Sequence, residues 1–176
     1  RPATTRSLPT RPRPVTIPQP VEKTLDNGLR IIVVSKHNVP LVSARVLIKA
    51  GSEEDPGDLA GLAQMTASLI TKRTKTRSAE QIARGIEALG ATLNTSAGWD
   101  ASQVNVTVMS PSFGKAMEIV GDVVRNPSFK TDEIELVGQA SVPGGEICKN
   151  DPAAVPRLLA TMSEYAIDRQ VIEASR

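Results

Sequence analysis

Aromatic residues are almost missing from this 176-residue chain, which has one Trp, one Tyr and two Phe. Hydrophobic residues still make up 40%, so a core can form, built from Val, Ile, Leu, Ala and Met. The single cysteine, Cys148, excludes an intramolecular disulfide framework and leaves the compartment open. The single histidine, His37, comes after a β-rich run and is expected to be exposed. His37 and Cys148 are far apart, and neither has a His or Cys at helical spacing, whereas a zinc site needs three or four ligands close together. Excess charge is lacking too. A formal net charge of +2, spread over both signs, makes no case for a nucleic-acid partner. No apolar run approaches the roughly 18 residues of a membrane span. The phosphate loops G-x-x-x-x-G-K and G-x-G-x-x-G are absent, and so is the nucleophile elbow G-x-S-x-G.

Proline and arginine crowd the first twenty residues, RPATTRSLPTRPRPVTIPQP, which contain four Arg and no acid. A mitochondrial transit peptide shares that bias but must form an amphipathic helix, and five prolines between Pro9 and Pro20 oppose one. Two readings stay open: an extended linker that followed an export signal removed upstream of Arg1, or a tail without a role. The expected organisation is therefore a leader or linker over 1–20 and one domain over 21–176.

Periodicity organises the chain from Val21 onward. Val21–Leu25 and Leu29–Val34 are β-rich and joined by Asp26-Asn27-Gly28, a hairpin signal. Leu41–Gly51 alternates, with Val42, Ala44, Val46, Ile48 and Ala50 on one face. A helix is expected from an Asp58 N-cap to Lys72, with Leu59, Leu62, Met65, Leu69 and the stem of Lys72 as its apolar stripe. Ser78-x-x-Gln81 is a capping box for a second helix that buries Ile82, Ile86 and Leu89 and stops at Gly90. Strands are expected over Ala91–Ala97 and Ser102–Met109, turning at Gly98-Trp99-Asp100. Next comes a helix from Ser110-Pro111 to Arg125, then one capped by Thr131 and running from Asp132 to Ala140, and a last one from Asp151 to Tyr165 or beyond. Short connections between paired strands predict an α+β fold, a largely antiparallel sheet with helices on one face.

Several residues invite a chemical reading. Glu53-Glu54-Asp55-Pro56-Gly57-Asp58 lacks calcium-loop spacing and reads as a solvated turn. Ser68 has no His near it and reads as a small residue that lets elements pack closely. Lys149 beside Cys148 favours a thiolate, while general residue preference favours a buried, inert thiol. The basic turn from Lys72 to Arg77 either docks a carboxylate or acidic partner, or is a solvated loop. Asn94-Thr95-Ser96 and Asn105-Val106-Thr107 match glycosylation sequons but fall in expected strands.

The segments LDNGLRIIVV, PLVSARVLIKAGSEEDP, GLAQMTASLITKRTKTRS, IEALGATLNTSAGWDASQVNVTV and VVRNPSFKTDEIE occur in an order that resembles the N-terminal domain of the pitrilysin/insulinase zinc metallopeptidases, the inverzincins. The likeness covers residues 21–136 and fades after Pro152. It implies the inverzincin, or mitochondrial processing peptidase-like, α+β domain. In catalytic members the helix after GLA carries H-x-x-E-H, two zinc-binding His with a general-base Glu between them. The matching residues here are Gln64, Ala67 and Ser68. The family's third ligand is a Glu further along, and Glu146 falls near its position, although Pro143-Gly144-Gly145 interrupts the helix expected there. Arg73 stands where a glycine usually precedes TKTR.

The resemblance thus implies a non-catalytic homologue with no catalytic residue, no metal ligand and no cofactor of its own, zinc belonging to a partner. It implies one repeat of a longer protein. The partner would be a zinc-bearing homologous subunit, the two enclosing a peptide-holding chamber, with peptides as possible ligands and no nucleic acid or membrane span. The Pro-rich leader and the TKTRS turn look most like exported bacterial zinc-free subunits, so the periplasm is expected ahead of the mitochondrion. Two alternatives remain open at this level: a purely structural subunit of the respiratory core type, or an active metallopeptidase with an unrecognised metal site.

Overall fold

A computed structural model describes residues 18–57, 59–130 and 132–134, and the backbone of a strand over 170–175. Its elements run β1 (Val21–Thr24), β2 (Arg30–Val34), β3 (Leu41–Ile48), α1 (Leu62–Leu69), α2 (Ala79–Ala88), β4 (Thr92–Ala97), β5 (Ser102–Met109), α3 (Phe113–Arg125) and β6 (Gln170–Ser175). The strands form one sheet in the order β1-β2-β6-β3-β5-β4. Every pairing is antiparallel except β2 with β6. The fold is α+β, as the periodicity predicts.

Alternation decides which sheet face is covered. Val42, Ala44 and Val46 on β3 stand opposite Val108, Val106 and Val104 on β5, and all six are buried. Against this row pack Ala116, Ile119, Val120, Val123 and Val124 from α3 and Ile82 and Ile86 from α2. Every buried hydrophobic residue among those described is aliphatic. The opposite face is polar and ties itself together across strands. Ser43 and Thr107 hydroxyls lie 3.0 Å apart, Arg45 Nε donates to Asn105 Oδ1 at 2.9 Å, and Gln103 Nε2 donates to Ser96 Oγ at 3.0 Å. The two sequon asparagines, Asn94 and Asn105, are direct cross-strand partners on this face.

Local signals hold where they are strong. Ser78 and Gln81 close the capping box in both directions at 2.8 and 3.3 Å. Gly90 ends the second helix at φ +60°, a conformation that glycine adopts without strain. Gly28 does the same in the first hairpin at φ +83°.

Two expectations change. The helix expected over 58–72 spans only Leu62–Leu69; its stripe of Leu59, Leu62, Met65 and Leu69 is buried, but Lys72 is exposed. The helical pattern carried past Tyr165 is wrong at Gln170–Ser175, which is the strand joining the two halves of the sheet. Val171 and Ile172 suit a pleated surface, and ladder bonds on both sides outweigh a helical pattern read from a single segment. The Thr131 cap, most of the helix to Ala140 and the helix from Asp151 lie outside the described residues, as do Glu146 and Cys148; Asp132–Ile134 is helical.

Candidate functional site

The loop before α1 sets its position. Gly51 packs directly on the β4–β5 turn, and a Cβ there would lie 2.2 Å from the Trp99 carbonyl oxygen. The close approach lets Ser52 N–H donate to Gly98 O at 3.0 Å and Glu53 N–H to Trp99 O at 2.9 Å. Asp55 then turns inward. Its carboxylate accepts from the Gly61 N–H at 2.8 Å and the Ala63 N–H at 3.0 Å. Those donors belong to the first turn of α1, where backbone N–H groups lack partners and a negative charge is favoured. So the acidic stretch is not all a solvated turn: Glu53 and Glu54 are exposed, while Asp55 does the work expected of Asp58, which lies outside the described residues. Gly61, at φ +94°, supplies the left-handed corner from which the helix starts.

On α1 the three motif positions come together on one side, and each side chain is engaged or inert. Gln64 Oε1 accepts from the Ala97 N–H at 3.3 Å. Ser68 Oγ donates to the Gln64 carbonyl at 2.9 Å, the i−4 back-bond common for serine in helices. Ala67 is 4% exposed and has no functional group. Beneath it lies a cavity of about 50 Å³, walled by Ile48, Ala50, Ala63, Ala67, Ile70 and Val124. The polar groups at its margin are already used: Asp55 by the helix start, Thr66 by the Leu62 carbonyl at 2.7 Å, and Ser102 by the Ala50 carbonyl at 2.8 Å.

Zinc requires thiolate, imidazole or carboxylate donors pointing at one spot. A carboxamide turned to a backbone N–H, a hydroxyl turned to a backbone carbonyl and a methyl group do not fit it. Among the described residues no group of three His, Cys, Asp or Glu is placed to hold a metal ion. His37 is exposed, in the loop after β2.

The basic turn after α1 has a definite partner. Thr74 Oγ1 and Thr76 Oγ1 donate to Asp122 Oδ2 at 2.7 and 2.9 Å, Arg77 pairs with the same oxygen, and Asn126 Nδ2 donates to Oδ1 at 3.0 Å. The turn therefore docks a carboxylate, and the carboxylate is the chain's own. Burial pushes the Asp122 carboxyl up, but the hydrogen bonds from Thr74, Asn126, Thr76 and Arg77 outweigh it and hold the group at about 2, below its usual 3.8. Arg73 Nε reaches Glu133 Oε1 at 2.9 Å, so the arginine found where a glycine is usual clamps the segment after α3. Sequence reasoning missed Asp122 and Asp55. The readable sign was an acid inside the apolar stripe of α3 with Asn126 four residues on, the spacing at which helical neighbours touch.

A family model for insulinase, peptidase family M16, matches residues 30–173. An uncharacterized zinc protease of Rickettsia bellii is 34% identical over 111 residues, 62% of this chain and 27% of the relative. An inactive domain of peptidase M16 from Pseudomonas fluorescens superposes with a TM-score of 0.74 at 20% identity, over 89% of this chain and 46% of its own. The periplasmic protease PqqL of Escherichia coli superposes with a TM-score of 0.77 at 13% identity, over 89% of this chain and 22% of its own. The chain thus spans from about a quarter to under half of the length of these relatives. Among the described residues no helix is long and apolar enough to cross a membrane. With the sheet order and the helix-covered face in place, the match over most of its length places this chain in the insulinase family, peptidase family M16.

Proposed function

We propose that this chain is a non-catalytic member of the family that pairs with a homologous subunit carrying H-x-x-E-H, the two enclosing a peptide-holding chamber. The observation that carries this reading is the state of the three motif positions. Gln64 Oε1 and Ser68 Oγ are each bonded to a backbone group, and Ala67 faces an apolar cavity. A metallopeptidase site needs a metal, a water and a base that polarises it, and these side chains offer none of the donors. The zinc and the hydrolytic step would reside in the partner, and this chain would shape the enclosing wall. The likeness in fold to a domain described as inactive supports the first part. The likeness to a periplasmic protease supports an exported location.

Metal analysis and mixing experiments test the reading. The purified chain is expected to hold no stoichiometric zinc and to cleave no unstructured peptide. Mixed with an H-x-x-E-H homologue, it is expected to co-elute and raise that subunit's peptidase activity. One tightly held zinc per chain, with chelator-sensitive cleavage by this chain alone, overturns the proposal.

A further inference from the structure

Asparagine is thermolabile, because its carboxamide carbon sits where the next backbone nitrogen can close a five-membered ring. A side chain on the next residue hinders that closure. Among the chain's asparagines only Asn27 is followed by glycine. Asn27 and Gly28 are both exposed, and nothing lies within 4 Å of the place a Cβ on Gly28 would occupy. Solvent therefore reaches both reacting groups.

In the folded turn two hydrogen bonds restrain these groups. The Gly28 N–H donates to Leu25 O at 2.9 Å, which occupies the nitrogen that would attack. Asn27 Oδ1 accepts from the Leu29 N–H at 3.1 Å, which fixes the carboxamide that would be attacked. The hairpin around them is lightly held on one side. All four residues of β1 are exposed, and β1 is the outermost strand, with β2 as its one neighbour in the sheet. Elements with few buried contacts open at low cost. β2 keeps its place when β1 lifts, since β6 pairs with its other edge.

We propose that Asn27 is a site of spontaneous deamidation whose rate is set by opening of the β1–β2 turn. Once the turn opens, the Gly28 backbone nitrogen gives its proton to solvent and attacks Asn27 Cγ. The N–Cγ bond forms, the Cγ–Nδ2 bond breaks, and the side-chain nitrogen leaves as ammonia. Water then opens the cyclic imide at one of its two carbonyls. Opening at Cγ gives aspartate, and opening at the main-chain carbonyl gives isoaspartate. The balance is one amide and one water to one carboxyl group and one ammonia. Aspartate keeps an oxygen for the Leu29 N–H, whereas isoaspartate lengthens the main chain by one methylene between the paired residues Thr24 and Arg30. The inference rests on the turn alone and needs nothing of the chamber reading.

Peptide mapping and ammonia release from the whole chain, held at mildly alkaline pH, test it. Aspartate and isoaspartate at residue 27 are expected to form about thirtyfold more slowly in the folded chain than in the same chain unfolded in guanidinium chloride, the worth of two hydrogen bonds. Lys23→Pro loosens the turn. Bonded and unbonded pairs alternate from Leu25 and Leu29, whose N–H and C=O are joined at 2.8 Å, so the Lys23 N–H points at Ile31. Proline removes that ladder bond from the outermost strand. This variant is expected to convert about fivefold faster than the unsubstituted folded chain, while slow amide exchange at Val104 and Val106 on β5 reports an intact sheet. Asn27→Gln, whose longer side chain would have to close a six-membered ring, is expected to abolish most of the ammonia release. Folded-chain conversion as fast as in the unfolded chain overturns the proposal. So does a folded Lys23→Pro variant that converts no faster than the unsubstituted chain, or ammonia release that Asn27→Gln leaves unchanged.

Discussion

Asp122 shows how much one buried carboxylate can hold. It gathers the Thr74, Thr76, Arg77 and Asn126 side chains and so fixes the turn after α1 to α3. Its folded value of about 2 lies below the usual 3.8. The stabilisation is therefore present above about pH 4 and is lost as pH falls toward 2, worth on the order of 2 kcal/mol. Asp122→Asn should lower the thermal midpoint at pH 7 and flatten the dependence of stability on pH between about 2 and 4. A midpoint whose acid slope survives the substitution would show that other carboxylates set it. Ala67 makes the opposite case, a position that is cheap to fill and costly to charge. Ala67→Met should fill much of the cavity and stabilise by about 1 kcal/mol, whereas Ala67→Glu, of similar size, should destabilise by about 2 kcal/mol or more by burying a carboxyl without partners. Thermal melts of the pair at neutral pH check both signs; two shifts in the same direction would mean the cavity is not apolar in solution.

At the scale of elements, α1 is shorter than its sequence pattern because a side chain from outside it sets its start. Asp55 reaches across the loop to Gly61 and Ala63, and the chain ahead of Leu62 tracks the β4–β5 turn. Gly51→Ala should break that contact, since the added carbon meets backbone that cannot move aside. A loss of about 1–3 kcal/mol is expected in chemical denaturation, the range of overpacking substitutions that force backbone shifts. Met65 is the matching test of the helix's buried side. It is almost wholly enclosed, and Met65→Asp should unfold the chain or remove most of its stability by bringing an unpaired charge into an apolar seam. A folded Met65→Asp variant with an unchanged melt would put the wrong side of α1 against the sheet.

At the scale of the whole molecule, β6 decides the architecture. It comes after α3 in the chain yet lies between β2 and β3, parallel to the first and antiparallel to the second. Without it the first hairpin would have no neighbour in the sheet. A proline at Ile172, whose partners are Ile31 and Val46, should therefore cost more stability than one at exposed Val21 on the outer strand, because it removes a ladder bond from a central strand. Equal denaturation midpoints for the two variants would refute a central β6.

Where a signal is local, the sequence was enough. The capping box at Ser78, the Asn-Gly hairpin, the glycine after α2 and the alternation of β3 and β5 depend on neighbours within a few residues, and each forms as read. The assignment of Gln64, Ala67 and Ser68 to the H-x-x-E-H positions is a local reading of the same kind, made from the resemblance and the spacing alone. What the tertiary structure alone decided lies between distant residues. The carboxylate that caps α1, the acid that the basic turn docks, the backbone amide that Gln64 meets and the strand made from Gln170–Ser175 all depend on segments brought together by chain closure. Periodicity shows which face of a segment is apolar, but not which segment will cover it, nor which polar partner will be waiting there.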